Sequence, residues 1–172
     1  LYYIPRRGET MSTANVIVPT LQTLLEVDGT SASPVSNLTF SGISFEYATW
    51  TFGDQGVLDV QGNNIWKTTA QLQRILPPNV SCEGCDSVAF TGDTFTHLGG
   101  AGLGLDGGGT DNLVQGNVFT DISSNGIQLG EGILPEPAAI ESGDYIDDNY
   151  VHDVATEYRG GIGSGDVWVK NT

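Results

Sequence analysis

The chain is poor in basic residues. Its 172 residues include six Lys and Arg but 21 Asp and Glu, which gives a formal net charge of −15. A field of this sign repels nucleic-acid phosphates and anionic lipid headgroups. We therefore expect no nucleic-acid partner and no membrane partner. A polyanionic substrate would need a metal ion to bridge the charges.

Cysteine is also scarce. The only two, Cys82 and Cys85, form one CEGC segment. One pair is too few for a zinc site, which takes four ligands, and the βαβ context of a thioredoxin-like motif is missing. A short loop disulfide and two free thiols both stay open.

Long apolar runs are absent as well. No stretch of 18 apolar residues occurs, so the sequence predicts no transmembrane helix. The chain opens on LYYIPRRGE without an initiator Met, and we expect a mature or excised fragment. Two N-glycosylation triplets, at Asn37 and Asn79, fit a secreted, extracellular protein.

Glycine, in contrast, is abundant. The 24 glycines are about twice the usual share of roughly 7%. Only seven residues are proline and 38% are hydrophobic, so the chain is not a disordered tract. High glycine with ordinary hydrophobicity indicates many short strands joined by tight turns. The length suits one domain.

An internal repeat predicts how those strands are arranged. A shift of 24 residues places apolar positions on one another: Phe90 on Val114, Phe95 on Phe119, Leu98 on Ile122, and 102–105 on 126–129. Shifts of 50 and 32 residues extend the pattern: Phe40 and Phe45 upstream, Ile146 and Val151 downstream. Asn117 and Asn149 also align, and we expect them to exchange side-chain hydrogen bonds.

No single repeat could bury its apolar face alone, whereas parallel stacking gives all of them one shared core. We therefore predict an all-β fold, a right-handed parallel β-helix (solenoid) with rungs of about 24 residues and loop insertions. Residues 1–36 would form N-terminal strands or early rungs and 37–172 the main rungs, in one C-terminally incomplete domain. An irregular excursion is predicted at 51–86, with a short helix at 68–76, and a loop insertion at 130–143.

Several segments together resemble secreted bacterial and fungal right-handed β-helix proteins of the pectate-lyase-like superfamily: LYYIPRRGE, PVSNLTFSGISFEYATW, FTHLGGAGL, GNVFTDISSNGIQLGE and NYVHDVATEYRGG. The superfamily includes hydrolases, lyases, epimerases and non-catalytic adhesins. Members near this branch look like exo-acting or debranching glycoside hydrolases. The resemblance therefore implies a secreted, carbohydrate-active protein whose domain usually continues for more rungs.

Three acids are the candidate catalytic residues. Aligning 102–105 with 126–129 and 161–164 places Asp106, Glu131 and Asp166 along one edge of the stack. Glycoside cleavage needs a pair of carboxylates, roughly 5 Å apart for retention and roughly 6.5–9.5 Å apart for inversion. Neighbouring rungs offer such spacings. Solvated turn acids and a structural calcium site remain the alternatives.

The candidate sugar-binding residues lie in a turn and on two strands. Glu157, Tyr158 and Arg159 could clamp a sugar by ring stacking and hydrogen bonds, or they could form an exposed salt-bridged turn. Gln128 and His97 complete the set. His97 aligns with Asp121 and Asp153, and this series could be a metal or acid–base site or only a hydrogen-bonded ladder. Three aromatic residues could form a sugar platform or pack internally: Tyr47, Trp50 and Trp66.

The function predicted from these features is hydrolysis of glycosidic bonds in a polysaccharide or oligosaccharide by two carboxylates. The protein would act as a monomer without a cofactor. A non-catalytic carbohydrate-binding or adhesive β-helix, or an inactive fragment, is one alternative. A calcium-dependent polysaccharide lyase is another, but it needs a basic residue, and only Arg159 and Lys170 lie among the clear rungs.

Overall fold

Short strands make up most of the ordered elements. The computed structural model of the chain describes residues 2–51, 56–60, 63–67, 73–130 and 137–172. In chain order its strands are β1 (Leu25–Asp28), β2 (Val35–Ser36), β3 (Thr39–Ser41), β4 (Ser44–Ala48), β5 (Val57–Val60), β6 (Asn63–Lys67), β7 (Gln73–Ile75), β8 (Pro78–Glu83), β9 (Cys85–Asp86), β10 (Ala89–Thr91), β11 (Thr94–Leu98), β12 (Ala101–Asp106), β13 (Leu113–Gln115), β14 (Val118–Ile122), β15 (Ile127–Leu129), β16 (Tyr145–Asp147), β17 (Tyr150–Val151) and β18 (Ser164–Asp166). A 3-10 turn at Pro137–Ala139 is the helical element of the described residues.

Strands from successive passages of the chain pair in parallel in three sheets. The first sheet has the order β1-β8-β12-β15-β18, the second β3-β10-β13-β16 and the third β4-β11-β14-β17. The chain runs from the first sheet to the second and third, then returns to the first sheet beside the strand it left; we call one such passage a circuit. This all-β arrangement of parallel sheets is compatible with a parallel β-helix.

The pairing register follows the apolar repeat of the sequence. Strand β10 pairs with β13 through Phe90 and Val114, and β11 pairs with β14 through Phe95 and Phe119. The pairs predicted at the other two shifts are also present: Phe40 with Phe90, Phe45 with Phe95, Val114 with Ile146, and Phe119 with Val151. These pairings confirm the register predicted for the second and third sheets. A slip of one residue would turn each apolar set towards solvent.

The core lies between the sheets, where one side chain from each circuit stacks on the next. Phe45, Phe95 and Phe119 form such a column, with ring centroids 5.0 and 4.4 Å apart. Phe95 and Phe119 are fully buried, as are Leu103 and Ile122 of the same core. Burying an aromatic or aliphatic side chain of this size contributes about 1.5–3 kcal/mol. The stacked columns therefore hold neighbouring circuits together.

The segment 51–86, predicted as an excursion, contains two kinds of structure. Strands β5, β6 and β7 form an antiparallel sheet, whereas β8 and β9 belong to the parallel sheets. The helix predicted at 68–76 is wrong for 73–75, which form β7, because pairing of Ile75 with Ile65 overrides the helical spacing of apolar residues. Residues 68–72 lie outside the described ranges. So do 131–136 of the predicted loop at 130–143.

Polar side chains at the turns join one circuit to the next. Asn117 donates from Nδ2 to Asn149 Oδ1 at 2.9 Å and to the Phe90 carbonyl at 3.0 Å, which confirms the predicted asparagine contact. The Asn117 Oδ1 atom in turn accepts from the Asp93 backbone N–H at 2.8 Å. Each such side chain satisfies backbone groups that a turn would otherwise leave unpaired.

A second turn series repeats this arrangement with different residues. Asn112 Oδ1 accepts from the Val88 backbone N–H at 3.0 Å, and Asn112 Nδ2 donates to the Cys85 carbonyl at 2.8 Å. Asp144 follows in the next circuit, where its Oδ1 accepts from both the backbone N–H and Nδ2 of Asn112 at 3.0 Å. The Asp144 Oδ2 atom has no hydrogen-bond partner in the described structure.

Cys82 and Cys85 form a disulfide, and both are fully buried. The disulfide decides between the two cysteine states that the sequence left open. It joins β8 to β9 across a tight corner at Gly84, whose φ is +55°. Among the described residues, no helix has both the length and the apolar character needed to span a membrane.

Candidate functional site

An open cleft lies at the corner where the chain leaves the third sheet and enters the first. Its volume is about 260 Å³. The residues that line it include His97 and Asp121 of the third sheet and Thr156 and Glu157 of a later turn. Polar groups from three circuits therefore converge on one depression.

The third-sheet wall is built from a repeated backbone feature. Tyr47, His97, Asp121 and Asp153 occupy the same corner in successive circuits, and all four have positive φ, between 50° and 61°. Leu98 pairs with Ile122 directly beyond this corner, which aligns the residues before them. A left-handed conformation is uncommon for residues other than glycine, and in a protein it clusters at functional sites.

His97 is held from two sides. Its Nδ1 lies 2.5 Å from Asp121 Oδ2, with the two side chains 44% and 57% exposed. On the other side, the Tyr47 ring stacks on the imidazole with centroids 4.7 Å apart. The imidazole is thus fixed in orientation while it remains accessible from the cleft.

The turn at 156–158, which carries Glu157, is anchored by a buried aromatic ring. The backbone N–H groups of Glu157 and Tyr158 donate to the Ser123 carbonyl at 3.3 and 2.9 Å. The Tyr158 ring packs edge-on against Trp50, with centroids 6.0 Å apart, in a small cluster with Leu76. Burial, together with the nearby Glu157 charge, raises the pKa of Tyr158 to about 12. The exposed Glu157 is therefore carried on a turn of fixed position.

The predicted sugar-binding residues are used in different ways. His97 and Glu157 both line the cleft, and Arg159 is an exposed residue two positions after Glu157. Stacking of a sugar on Tyr158 is not supported, because only 7% of this residue is exposed. Gln128 is 5% exposed and contacts protein: its Nε2 donates to the Leu76 carbonyl at 3.1 Å. Gln128 therefore makes a structural contact with the residue that follows β7.

The three predicted catalytic acids lie away from the cleft or outside the described residues. Asp106 ends β12, at the opposite end of that strand from the cleft residue Gly99. At about 3.3 Å per residue, those positions are roughly 20 Å apart. Asp166 of β18 pairs with Leu129 of β15. The predicted alignment of Asp166 with Glu131 is therefore wrong by two residues. Glu131 itself lies outside the described residues.

The far edge of the first sheet has its own acidic cluster, which the sequence did not indicate. Glu141 is fully buried, and neither of its carboxylate oxygens has a hydrogen-bond partner among the described residues. Burial, together with the charges of Asp144, Asp106 and Asp86, raises the pKa of Glu141 to about 8. Burial also raises the pKa of Asp144. Glu141 therefore holds a proton near neutral pH that an exposed carboxylate would release.

Glu141 fits because of a glycine one circuit earlier. Thr110 bridges Ser142, so Gly109 and Glu141 occupy the same position in neighbouring circuits. A Cβ atom on Gly109 would lie 2.9 Å from Glu141 Oε2. An alignment that included this turn would have placed Glu141 against Gly109. Across the described part of the chain, no group of three or more His, Cys, Asp or Glu side chains could hold a metal ion.

Sequence reasoning aligned His97 with Asp121 but did not bring Glu157 to them. The signal for the first two was their shared position near the end of each third-sheet strand, which Tyr47 also occupies. The packing of the 156–158 turn over Ser123 is a tertiary contact that no local pattern records.

The fold has a solved counterpart. The chain resembles a structure named "Glycoside hydrolase", with a TM-score of 0.79 and 25% sequence identity. The likeness covers 97% of this chain but only 33% of that protein, so the chain spans about a third of its length. No protein-family model and no curated protein matches the chain. The likeness therefore shows a shared fold over nearly the whole chain.

Proposed function

We propose that the chain is a segment of a right-handed parallel β-helix, with rungs of about 24 residues, from a secreted carbohydrate-active enzyme of the pectate-lyase-like superfamily. The parallel order of the three sheets and the 24-residue pairings of β10 with β13 and β11 with β14 support this fold. A buried disulfide and the glycosylation triplet at the exposed Asn37 support secretion, because disulfides persist in oxidising compartments. The triplet at Asn79 adds no support, because this residue is buried and its Nδ2 donates to the Thr49 carbonyl.

The reaction we propose is hydrolysis of glycosidic bonds by two carboxylates. The observation that carries this proposal is the likeness of nearly the whole chain to a glycoside hydrolase. The cleft is lined by two accessible acids, Asp121 and Glu157, which come from different circuits. In this scheme Glu157 activates water or attacks the anomeric carbon, and the Asp121 side of the cleft delivers the proton to the departing oxygen.

Asp106, Glu131 and Asp166 remain the second candidate set of acids. Asp106 and Asp166 both lie at the far edge of the first sheet, where their charges act on the buried acids Glu141 and Asp144. That edge offers more carboxylates than the cleft but has no histidine among its described residues. The cleft is therefore the better-supported site.

The substrate we propose is a neutral or weakly charged polysaccharide or oligosaccharide. The net charge of −15 and the carboxylates at both sheet edges disfavour a uronate chain. A calcium-dependent lyase would need several carboxylates at one point beside a basic residue, and a purely binding β-helix would need none of the acids to be reactive.

Release of reducing sugar and of unsaturated product from a panel of plant and fungal polysaccharides tests the proposal. The variants are Asp121→Asn and Glu157→Gln for the cleft, and Asp106→Asn, Glu131→Gln and Asp166→Asn for the far edge. Hydrolysis that falls by about 10²–10⁴-fold in both cleft variants and persists in the other three would support the cleft. The reverse pattern would move the reaction to the far edge.

Two other results would contradict hydrolysis itself. Unsaturated product that depends on added calcium would identify a lyase. Sugar binding without turnover by the unaltered chain would favour a non-catalytic binding β-helix or an inactive fragment.

A further inference from the structure

Two histidines of this chain have nearly the same surroundings, but only one faces the cleft. His97 lies between the Tyr47 ring and Asp121, with Nδ1 2.5 Å from the carboxylate. His152, in a later circuit, lies against Tyr150 with ring centroids 4.5 Å apart, and its Nδ1 is 2.9 Å from Asp153. His97 lines the cleft, whereas His152 does not.

The contacts of His97 decide which ring nitrogen is available. Asp121 occupies Nδ1, and a carboxylate at this position keeps the proton on that nitrogen and fixes the ring orientation. Among the described residues no hydrogen bond involves Nε2, so this atom can meet a ligand in the cleft. The arrangement is a carboxylate–imidazole pair with the imidazole presented to the site.

From these observations we infer that His97 is a catalytic residue, and that its Nε2 exchanges the proton with the glycosidic oxygen while Asp121 acts as a positioning residue through Nδ1. The inference rests on the proposed hydrolysis and deepens it, because it assigns the acid role to His97 Nε2 instead of the Asp121 carboxylate and leaves Glu157 as the reacting carboxylate. Histidine is the side chain most often used for proton transfer in catalysis.

The step balances without any further reactant. The imidazolium donates its Nε2 proton to the leaving oxygen as the bond from that oxygen to the anomeric carbon breaks. A water molecule forms the new bond to that carbon, directly or after Glu157 has attacked, and its proton returns to the protein. Because Asp121 Oδ2 contacts His97 Nδ1, the Nε2 edge of the imidazole is the one that remains for the substrate.

A comparison of leaving groups separates this role from a structural one. The substrates are a methyl glycoside and a dinitrophenyl glycoside of the sugar that the chain hydrolyses. The variants are His97→Gln and Asp121→Asn, with His152→Gln as the matched control. Because a dinitrophenolate needs little protonation to leave, we expect His97→Gln to lower kcat on the methyl glycoside by about 10²–10⁴-fold. On the dinitrophenyl glycoside the same variant should retain most of its rate.

The control and the remaining outcomes complete the test. His152→Gln should leave both rates unchanged, which excludes a general effect of losing a stacked histidine. Equal losses by His97→Gln on both substrates, or no loss on either, would overturn the role of His97 while hydrolysis itself stands. No turnover of either substrate by the unaltered chain would overturn this inference together with the proposed function.

Discussion

The two edges of the first sheet carry acids in opposite environments. At the cleft edge, Asp121 is exposed and paired with His97. At the far edge, Glu141 and Asp144 are buried, and they include oxygens without hydrogen-bond partners in the described structure. A solvated carboxylate can bind a substrate at little cost, whereas a buried one changes stability through its protonation. The same residue type is therefore accessible to a ligand at one edge and affects stability at the other.

The largest effect that we expect at the far edge is a pH dependence of stability caused by Glu141. Its folded pKa, about 8, lies above the unfolded value near 4.5, so the folded state binds more protons between these limits. The free energy of unfolding should then fall as pH rises through this window, by up to about 1.4 kcal/mol per pH unit. Urea titrations at pH 5 and pH 8 measure the difference.

Replacing Glu141 isolates that contribution. Glu141→Gln should remove most of the loss of stability between pH 5 and pH 8. Glu26→Gln, which alters an exposed glutamate of β1, is the control and should retain the pH dependence of the original chain. A pH dependence that survives Glu141→Gln would show that other groups govern the far edge.

Asp144 should have a smaller effect of the same kind. Asn112, its counterpart one circuit earlier, donates from Nδ2 to the Cys85 carbonyl, while Asp144 Oδ2 has no partner in the described structure. Asp144→Asn would supply the missing donor near the Gly109 carbonyl, and we expect it to stabilise the chain by about 1 kcal/mol at pH 7. Thermal unfolding of Asp144→Asn beside the reverse change, Asn112→Asp, checks this; a fall in Tm for both variants would contradict it.

The smallest stability effect should come from the cleft edge. Asp121 and His97 are both substantially exposed, and exposed ion pairs contribute about 0–1 kcal/mol. We therefore expect Asp121→Asn to change the free energy of unfolding by less than about 0.5 kcal/mol, although it abolishes most of the hydrolysis. Urea unfolding measured on the same samples as turnover makes the comparison. A large loss of stability would remove the distinction between the two edges.

The strand register could be predicted because it repeats in the sequence. The pairs Phe90–Val114 and Phe95–Phe119 lie 24 residues apart, and an apolar side chain at the wrong register would face water. The predicted register was wrong at Asp166, because the insertion before β18 changes the spacing of the repeat and few apolar residues remain there to indicate the pairing. The antiparallel strands β5 to β7 follow no repeat, so a local helical spacing was misread there.

The candidate site was less predictable than the fold. His97 and Asp121 came from an alignment of circuits, and the structure places them in contact. The position of Glu157 depends on how the 156–158 turn packs over Ser123, and Tyr158 is buried because Trp50 lies beneath it. Such contacts join distant segments, whereas periodicity reports only which face of a strand is apolar.

The turn hydrogen bonds of the second and third sheets have a direction, and that direction matters while the polypeptide is being made. The Ile43, Asp93 and Asn117 backbone N–H groups each donate to a side chain of the following circuit. A ribosome produces the earlier circuit first, and its amides then await acceptors that have not yet been synthesised. Each new circuit would complete the one before it, so we expect ordered structure to extend along the nascent chain from the N-terminal side.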